Sequence, residues 1–290
     1  MSAGPAKTSS LNLLYRYAPA AMLAMAWLAL YGPVYLEFAD GPWRREENGH
    51  VPFVMAICIG TAWARWRLGG FSPSTPIEFA WGLGALTFGL ALYVVGRISE
   101  AVLLLSASQS AIALAIVLCA FGRDGAKRLW FPLLLSLYLI IWPGWAIDGL
   151  TAPLKQALSA AVSNGLFAVG LPVAHSGAVI SAGSYELLVA DACSGLNSMI
   201  ALTAVGAVYL YMVRRQSLKT NLAVILSILP IAIIANGARV AMLVLITYFA
   251  GYDAGQSFLH EGAGLFMFAA ALGGVFAVDG LAARLWEAKQ

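Results

Sequence analysis

Residues Leu222–Phe249 read LAVILSILPIAIIANGARVAMLVLITYF, twenty-eight positions that carry one charge, Arg239, and one proline, Pro230. A helix needs about 20 apolar residues to cross the hydrocarbon core of a bilayer. This stretch is long enough, and it has no polar face to turn toward water. The same pattern recurs outward from it in both directions. Spans are expected at Ala18–Leu36, Val51–Trp66, Ile77–Val95, Ala101–Phe121, Leu129–Ala146, Leu196–Val213, Leu222–Phe249 and Ala263–Ala283, eight in all. The first lacks the small-residue cleavage site of a signal peptide. Composition agrees: 61% of the 290 residues are hydrophobic and only 11% are charged, against about 25% charged in a soluble domain. A net charge of +3, scattered along the chain, gives no footprint for nucleic acid. Three cysteines exclude a disulfide scaffold. The expected fold is an all-α polytopic membrane protein, one integral membrane domain over residues 1–290, with the lipid bilayer as its first partner.

A ninth apolar stretch, Thr151–Val169, carries Pro153, Lys155, Gln156, Ser159, Ser163 and Asn164. It reads either as another span or as a helix lying on the membrane surface. Basic residues favour the second reading, because cytoplasmic loops collect Lys and Arg. With both termini cytoplasmic and eight spans, the inner side receives Lys7, Arg16, Arg65, Arg67, Arg123, Lys127, Arg128, Arg214, Arg215, Lys219, Arg284 and Lys289. The outer side receives Arg44, Arg45, Arg97 and Lys155. A ninth crossing would invert half of that map. After the surface helix, Ala178–Ile180 and Tyr185–Val189 flank Ser181-Ala182-Gly183-Ser184, the pattern of a short hairpin. Helix and hairpin together, about residues 149–192, form a small cap on the outer face. The map places His50, His175 and His260 outside as well.

Polar groups at membrane depth are costly and mark function by default. Arg239 lies about 15 Å below the outer end of its span, with Asn236 one turn earlier on the same face. No acid at mid-span is available to it, since Glu78 and Asp279 fall toward the inner side. It is therefore expected to face a wet cavity opening outward.

Cys193 stands in Asp191-Ala192-Cys193-Ser194-Gly195, at the first turn of a helix on the outer surface. Free N–H groups and the positive end of the helix dipole favour the nucleophilic thiolate there. Asp191, as a cap, opposes that effect in part. Cys58 and Cys119 sit in apolar spans and read as small core residues. His260, at the outer start of the last span, supplies a proton carrier. A cysteine nucleophile, a histidine and a fixed cation make a complete set for acyl transfer. Asn197, one turn beyond Cys193, either orients a neighbour or bonds between helices. Zinc is not expected, because Cys193, His50, His175 and His260 fall in four separate segments. The chemistry requires no metal and no cofactor.

At these residues the chain resembles the exosortase/archaeosortase family of membrane cysteine transpeptidases, and most of all its B-type exosortases. Leu188–Met199 is similar to the family's cysteine motif, Asn236-Gly237-Ala238-Arg239-Val240 to its Asn-x-x-Arg motif, and Phe258-Leu259-His260 with Gly262 and Gly264 to its histidine segment. Gly49-His50-Val51-Pro52 resembles the amino-terminal His/Pro segment, with Val51 where a glycine is usual. His175 stands where the family has an arginine. The resemblance implies catalytic roles for Cys193, Arg239 and His260, and supporting roles for Asn236, Asn197, Asp191, His50, Ser194 and His175. It implies a substrate: secreted proteins ending in a Pro-Glu-Pro sorting signal, a transmembrane tail and a basic cluster, cleaved through a thioester. It also implies the inner membrane of bacteria that make exopolysaccharide, with the active site on the periplasmic side. Two other readings stay open on the residues alone. One is a transporter or channel using Arg239 as an anion site; the other is a non-catalytic partner in exopolysaccharide export.

Overall fold

The computed structural model describes residues 7–45, 48–188, 195–213, 217–255 and 263–286. Contacts divide the chain into two compact units, Met1–Arg45 and Glu46–Gln290. The first holds one helix, α1 (Lys7–Asp40), and a 3₁₀ turn at Pro42–Arg44. Aromatic side chains four residues apart stack along α1: Trp27 on Tyr31 at 4.7 Å and Tyr31 on Tyr35 at 5.9 Å. Trp43 closes the ladder on Tyr35 at 5.7 Å, so the turn folds back along its own helix.

The second unit runs α2 (Val51–Arg67), α3 (Pro76–Ile98), α4 (Val102–Arg128), α5 (Trp130–Ser136, continued by a 3₁₀ turn to Leu139) and α6 (Gly144–Ala168). Three short strands follow, β1 (Val173–Ser176), β2 (Val179–Ala182) and β3 (Tyr185–Leu188). Then come α7 (Gly195–Val213), α8 (Leu218–Ala250) and α9 (Ala263–Trp286). Among the described residues, five helices are long and apolar enough to cross a membrane, within α1, α3, α4, α8 and α9, and shorter apolar helices accompany them. This is an all-α polytopic membrane protein. Arg214, Arg215 and Lys289 of the charge map lie outside the described residues.

Local signals fix the helix ends. Thr75 and Glu78 form a reciprocal capping box with Pro76 at the first helical position, which starts α3. Ser217 caps α8 through the Thr220 N–H. Gly251, at φ 91°, ends it.

α3 and α4 lie against each other with almost nothing between them. Gly82, Gly89 and Gly96, seven residues apart, face Cys119, Ile112 and Leu105 in antiparallel order. A Cβ on Gly82 would stand 2.5 Å from the Cys119 sulfur, one on Gly89 2.6 Å from Ile112 Cγ1, and one on Gly96 2.9 Å from the Leu105 nitrogen. Lipid provides no hydrophobic drive for helix association, so close van der Waals approach through small residues takes its place. At the end of the pair, α4 breaks at Gly122 (φ 59°, ψ −155°) and resumes at Arg123. The Glu78 carboxylate serves both the start of α3 and the second piece of α4, accepting from Thr75 N and Oγ1 at 2.9 Å and from Arg123 N at 3.0 Å.

The expected span Leu129–Ala146 is not one helix. It leaves helical geometry after Leu139, runs extended through Pro143, and starts again as α6 at Gly144. Pro143 accounts for part of this, since the residue before a proline is driven out of the helical region. The rest lies in α4. Ser110 Oγ donates to the Ser136 carbonyl (2.8 Å), Gln109 Nε2 to the Leu139 carbonyl (3.4 Å), and Ser106 Oγ accepts from the Ile141 N–H (2.9 Å). Irregular backbone survives at membrane depth only when protein satisfies it. These three side chains, all buried, do so.

The surface-helix candidate lies within α6, which begins earlier than expected, at Gly144, and ends at Ala168. The cap is also richer than a hairpin. β1, β2 and β3 form an antiparallel meander in which His175 pairs with Ile180 and Ser181 with Glu186. Gly177 (φ 59°) and Gly183 (φ 61°) make its two tight turns. One face of the meander packs between α6 and α8: Leu158, Val162 and Leu166 meet Ile180, Ala182 and Leu187, and these meet Val240, Leu243 and Val244. A second cluster joins α7, α8 and α9 through Leu202, Val224, Ile228, Ala232, Ala271 and Val275. There Tyr209 OH donates to the buried Asp279 carboxylate at 2.7 Å.

Candidate functional site

Helix ends of the second unit sort into two groups. At one end, Arg65 bonds Tyr211, Phe71 packs on Phe121, and Glu78 caps Arg123, which brings together the end of α2, the start of α3 and the ends of α4 and α7. The other end holds the cap, the start of α2 and the start of α7. Among the described candidate site residues, His50 lies at the start of α2, His175 in the cap and the backbone of Asn197 in the first turn of α7.

Arg239 and Asn236 sit on α8, eleven and fourteen residues short of Ala250. That depth is about 16 Å and 21 Å at the helical rise, close to the depth expected from sequence. Both are buried, with Arg239 6% and Asn236 5% exposed, and neither is isolated. The next residue, Val240, lies in the cluster beneath the meander, and a Cβ on Gly237 would stand 3.2 Å from Leu158 of α6. Thus the turn that carries Asn236 and Arg239 is held under the cap. Arg239 lines neither the small cavity at His50 nor the larger one beside Arg65.

His50 immediately precedes α2, whose second residue, Pro52, is preset for a helix start. With the buried Asn48 it lines a cavity of about 230 Å³, closed by Leu137, Tyr138, Ile140, Trp142, Ile147 and Ile200. Most of these belong to the irregular stretch after α5. The walls are apolar and aromatic, and an imidazole, an amide and a phenol converge on one small space. Such a composition suits a compact ligand group held in a fixed orientation. Ile200 is on α7, seven residues after Cys193 in the chain.

His175 is on β1, exposed, on the outer strand of the meander. Asp191, Cys193, Ser194 and His260 lie outside the described residues, and of Asn197 only the backbone, in α7, is described. Among the described residues, no group of three or more His, Cys, Asp or Glu side chains is arranged to hold a metal ion. Sequence reasoning passed over Asn48, Tyr138 and Trp142. A sign was present in α4, where Ser106, Ser108, Gln109 and Ser110 crowd four polar side chains into an apolar span. Such a run announces an irregular neighbour in need of hydrogen bonds.

A family model described as transmembrane exosortase matches residues 43–277 of the chain. The match takes in all of α2 to α8 and the greater part of α9. No match was found among curated proteins or among solved structures. The chain belongs to the transmembrane exosortase family.

Proposed function

We propose that this member of the transmembrane exosortase family is a cysteine transpeptidase of the B-type exosortase kind. It cleaves the carboxy-terminal Pro-Glu-Pro-type sorting signal of secreted proteins at the outer face of the bacterial inner membrane. The observation that carries this reading is Arg239, a cation buried with Asn236 beneath the cap. Such a cation is expensive to insert unless it has work to do. Chain length supports the grouping. Cys193 follows Leu187 by six residues, a reach of at most about 22 Å, and Leu187 shares a packed cluster with Val240, the neighbour of Arg239.

In the proposed reaction the Cys193 thiol gives its proton to His260. The sulfur attacks the scissile carbonyl carbon, and Arg239 holds the negative oxygen of the tetrahedral intermediate. Collapse breaks the C–N bond, and His260 returns the proton to the departing amine. The thioester left on Cys193 is then taken by an acceptor amine or by water, with the thiolate as leaving group. Asn236 positions Arg239, and the cavity beside His50 receives one residue of the signal. Asp191, Ser194, Asn197 and His175 are supporting residues around the nucleophile and the incoming tail.

The test is to incubate the purified full chain with a sorting-signal peptide and to look for the acyl-enzyme by mass spectrometry. A mass increment on Cys193, absent in Cys193→Ala, is expected. Cleavage at wild-type rate by Cys193→Ala would sink the proposal, and an anion transporter would keep its activity after alkylation of this thiol. Sidedness is tested separately: in intact cells a cysteine at Ser181 should react with a membrane-impermeant thiol reagent, while one at Lys127 should not.

A further inference from the structure

A larger cavity, about 670 Å³, lies among α2, α5, α7 and α8, reaching from Arg65 to Tyr138, a residue it shares with the cavity at His50. The acyl-transfer chemistry has no use for it. Its walls include Phe131, Leu134 and Ile228, and its rim is formed by Trp130, Ile225 and Leu229, which are 52%, 51% and 54% exposed. In a membrane protein an apolar rim of that kind opens onto acyl chains. One charged side chain lines the cavity, Arg65, and no acid does so among the described residues. The guanidinium is held by one residue, Tyr211, through both its hydroxyl and its ring. Its Nε donates to the Tyr211 hydroxyl, and its carbon lies 5.2 Å from the centroid of the Tyr211 ring. Tyr211 in turn stacks flat on Phe131, with centroids 3.8 Å apart and planes within 3°. The remaining guanidinium donors sit on a fixed support at the mouth of an apolar slot.

We propose that this cleft binds an anionic phospholipid, with an acyl chain in the slot and the phosphate on Arg65. Basic pockets between membrane helices recognise anionic head groups, and guanidinium matches phosphate through paired N–H donors. The volume falls within the range of small-molecule pockets. A volume of about 670 Å³ is far smaller than that of a membrane-spanning helix, about 10–12 Å across with its side chains and about 30 Å long. A substrate tail ending in basic residues would set cation against cation at Arg65. The proposal is independent of the transpeptidase reading, so either can fail alone.

The test uses the full chain, delipidated in mild detergent, with phosphatidylglycerol as probe. Phosphatidylglycerol should raise the melting temperature in a concentration-dependent way, whereas phosphatidylcholine with the same chains and inorganic phosphate should not. Arg65→Gln should weaken the apparent affinity roughly tenfold or more, the scale of a lost charged hydrogen bond. Ile225→Trp, which fills the slot and keeps the arginine, should weaken it as well. Native mass spectrometry of wild type and Ile225→Trp reads lipid retention even if Arg65→Gln fails to fold. Equal stabilisation by phosphatidylcholine would mean ordinary boundary lipid and overturn the proposal. So would an effect of phosphate alone, or unchanged lipid retention in Ile225→Trp.

Discussion

The α3–α4 pair and the α6–meander–α8 layer bury backbone by opposite means. In the first, three glycines remove side chains so that two helices touch along their length. Glu78 caps the break at Gly122 at its end, and the buried polar side chains of α4, Ser106, Gln109 and Ser110, are taken up by backbone of the stretch after α5. The second has a thick apolar layer, with Ile180 and Ala182 fully buried, and keeps polar side chains inside it: Ser159, Ser163, Asn236 and Arg239. The first arrangement is a permanent joint, with no room for a ligand and no group to act on one. The second bears the cost of buried polarity. In a bilayer that cost points to chemistry rather than to holding the fold together.

The comparison breaks most sharply at Arg239. Arg239→Lys keeps the charge but loses the planar set of donors, so cleavage should fall by about 10²–10³. Melting temperature and substrate capture should change little, because the lost interaction belongs to the transition state. Near-normal cleavage by Arg239→Ala would remove this residue from the mechanism and place the layer with the α3–α4 pair as scaffold. On the other side, Gly89→Leu should destabilise by about 1–3 kcal/mol through overpacking, while cleavage per folded molecule stays at the wild-type value. A selective loss of cleavage would show that the pair is more than a joint. Finally, Ser106→Ala strands the Ile141 N–H and should cost about 1 kcal/mol. It should also raise KM for the peptide if the His50 cavity receives part of the signal. Thermal melts and steady-state kinetics on the same preparations read all three.

Much of the fold was legible in the sequence because hydropathy reports what lipid rejects. Val51–Trp66, Ile77–Val95 and Leu222–Phe249 each fall inside an observed helix, with caps extending the last two by a few residues. The break after Leu139 was only partly legible from Leu129–Ala146, where Pro143 and Gly144 signal an end but nothing marks its start at Ile140. Its partners, Ser106, Gln109 and Ser110, sit about thirty residues earlier, and composition says nothing about pairing across that distance. β1 was missed for a related reason: Val173–Ser176 is four residues long, and only its register with β2 makes it a strand. Arg239 stood out because one charge in an apolar run is visible without any fold. The cavity at His50 did not, since Asn48, Tyr138 and Trp142 meet only after the break has turned the chain.

That break also sets an order of assembly. The stretch from Leu137 to Pro143 exposes backbone groups that lipid cannot solvate, and Ser106 and Gln109 of α4 serve it. Because α4 precedes it in the chain, the hydrogen-bonding partners leave the ribosome before the segment that needs them. A chain rearranged so that residues 130–145 were made first would deliver an incomplete span to the insertion machinery. The order of synthesis is thus part of what makes an interrupted helix tolerable here.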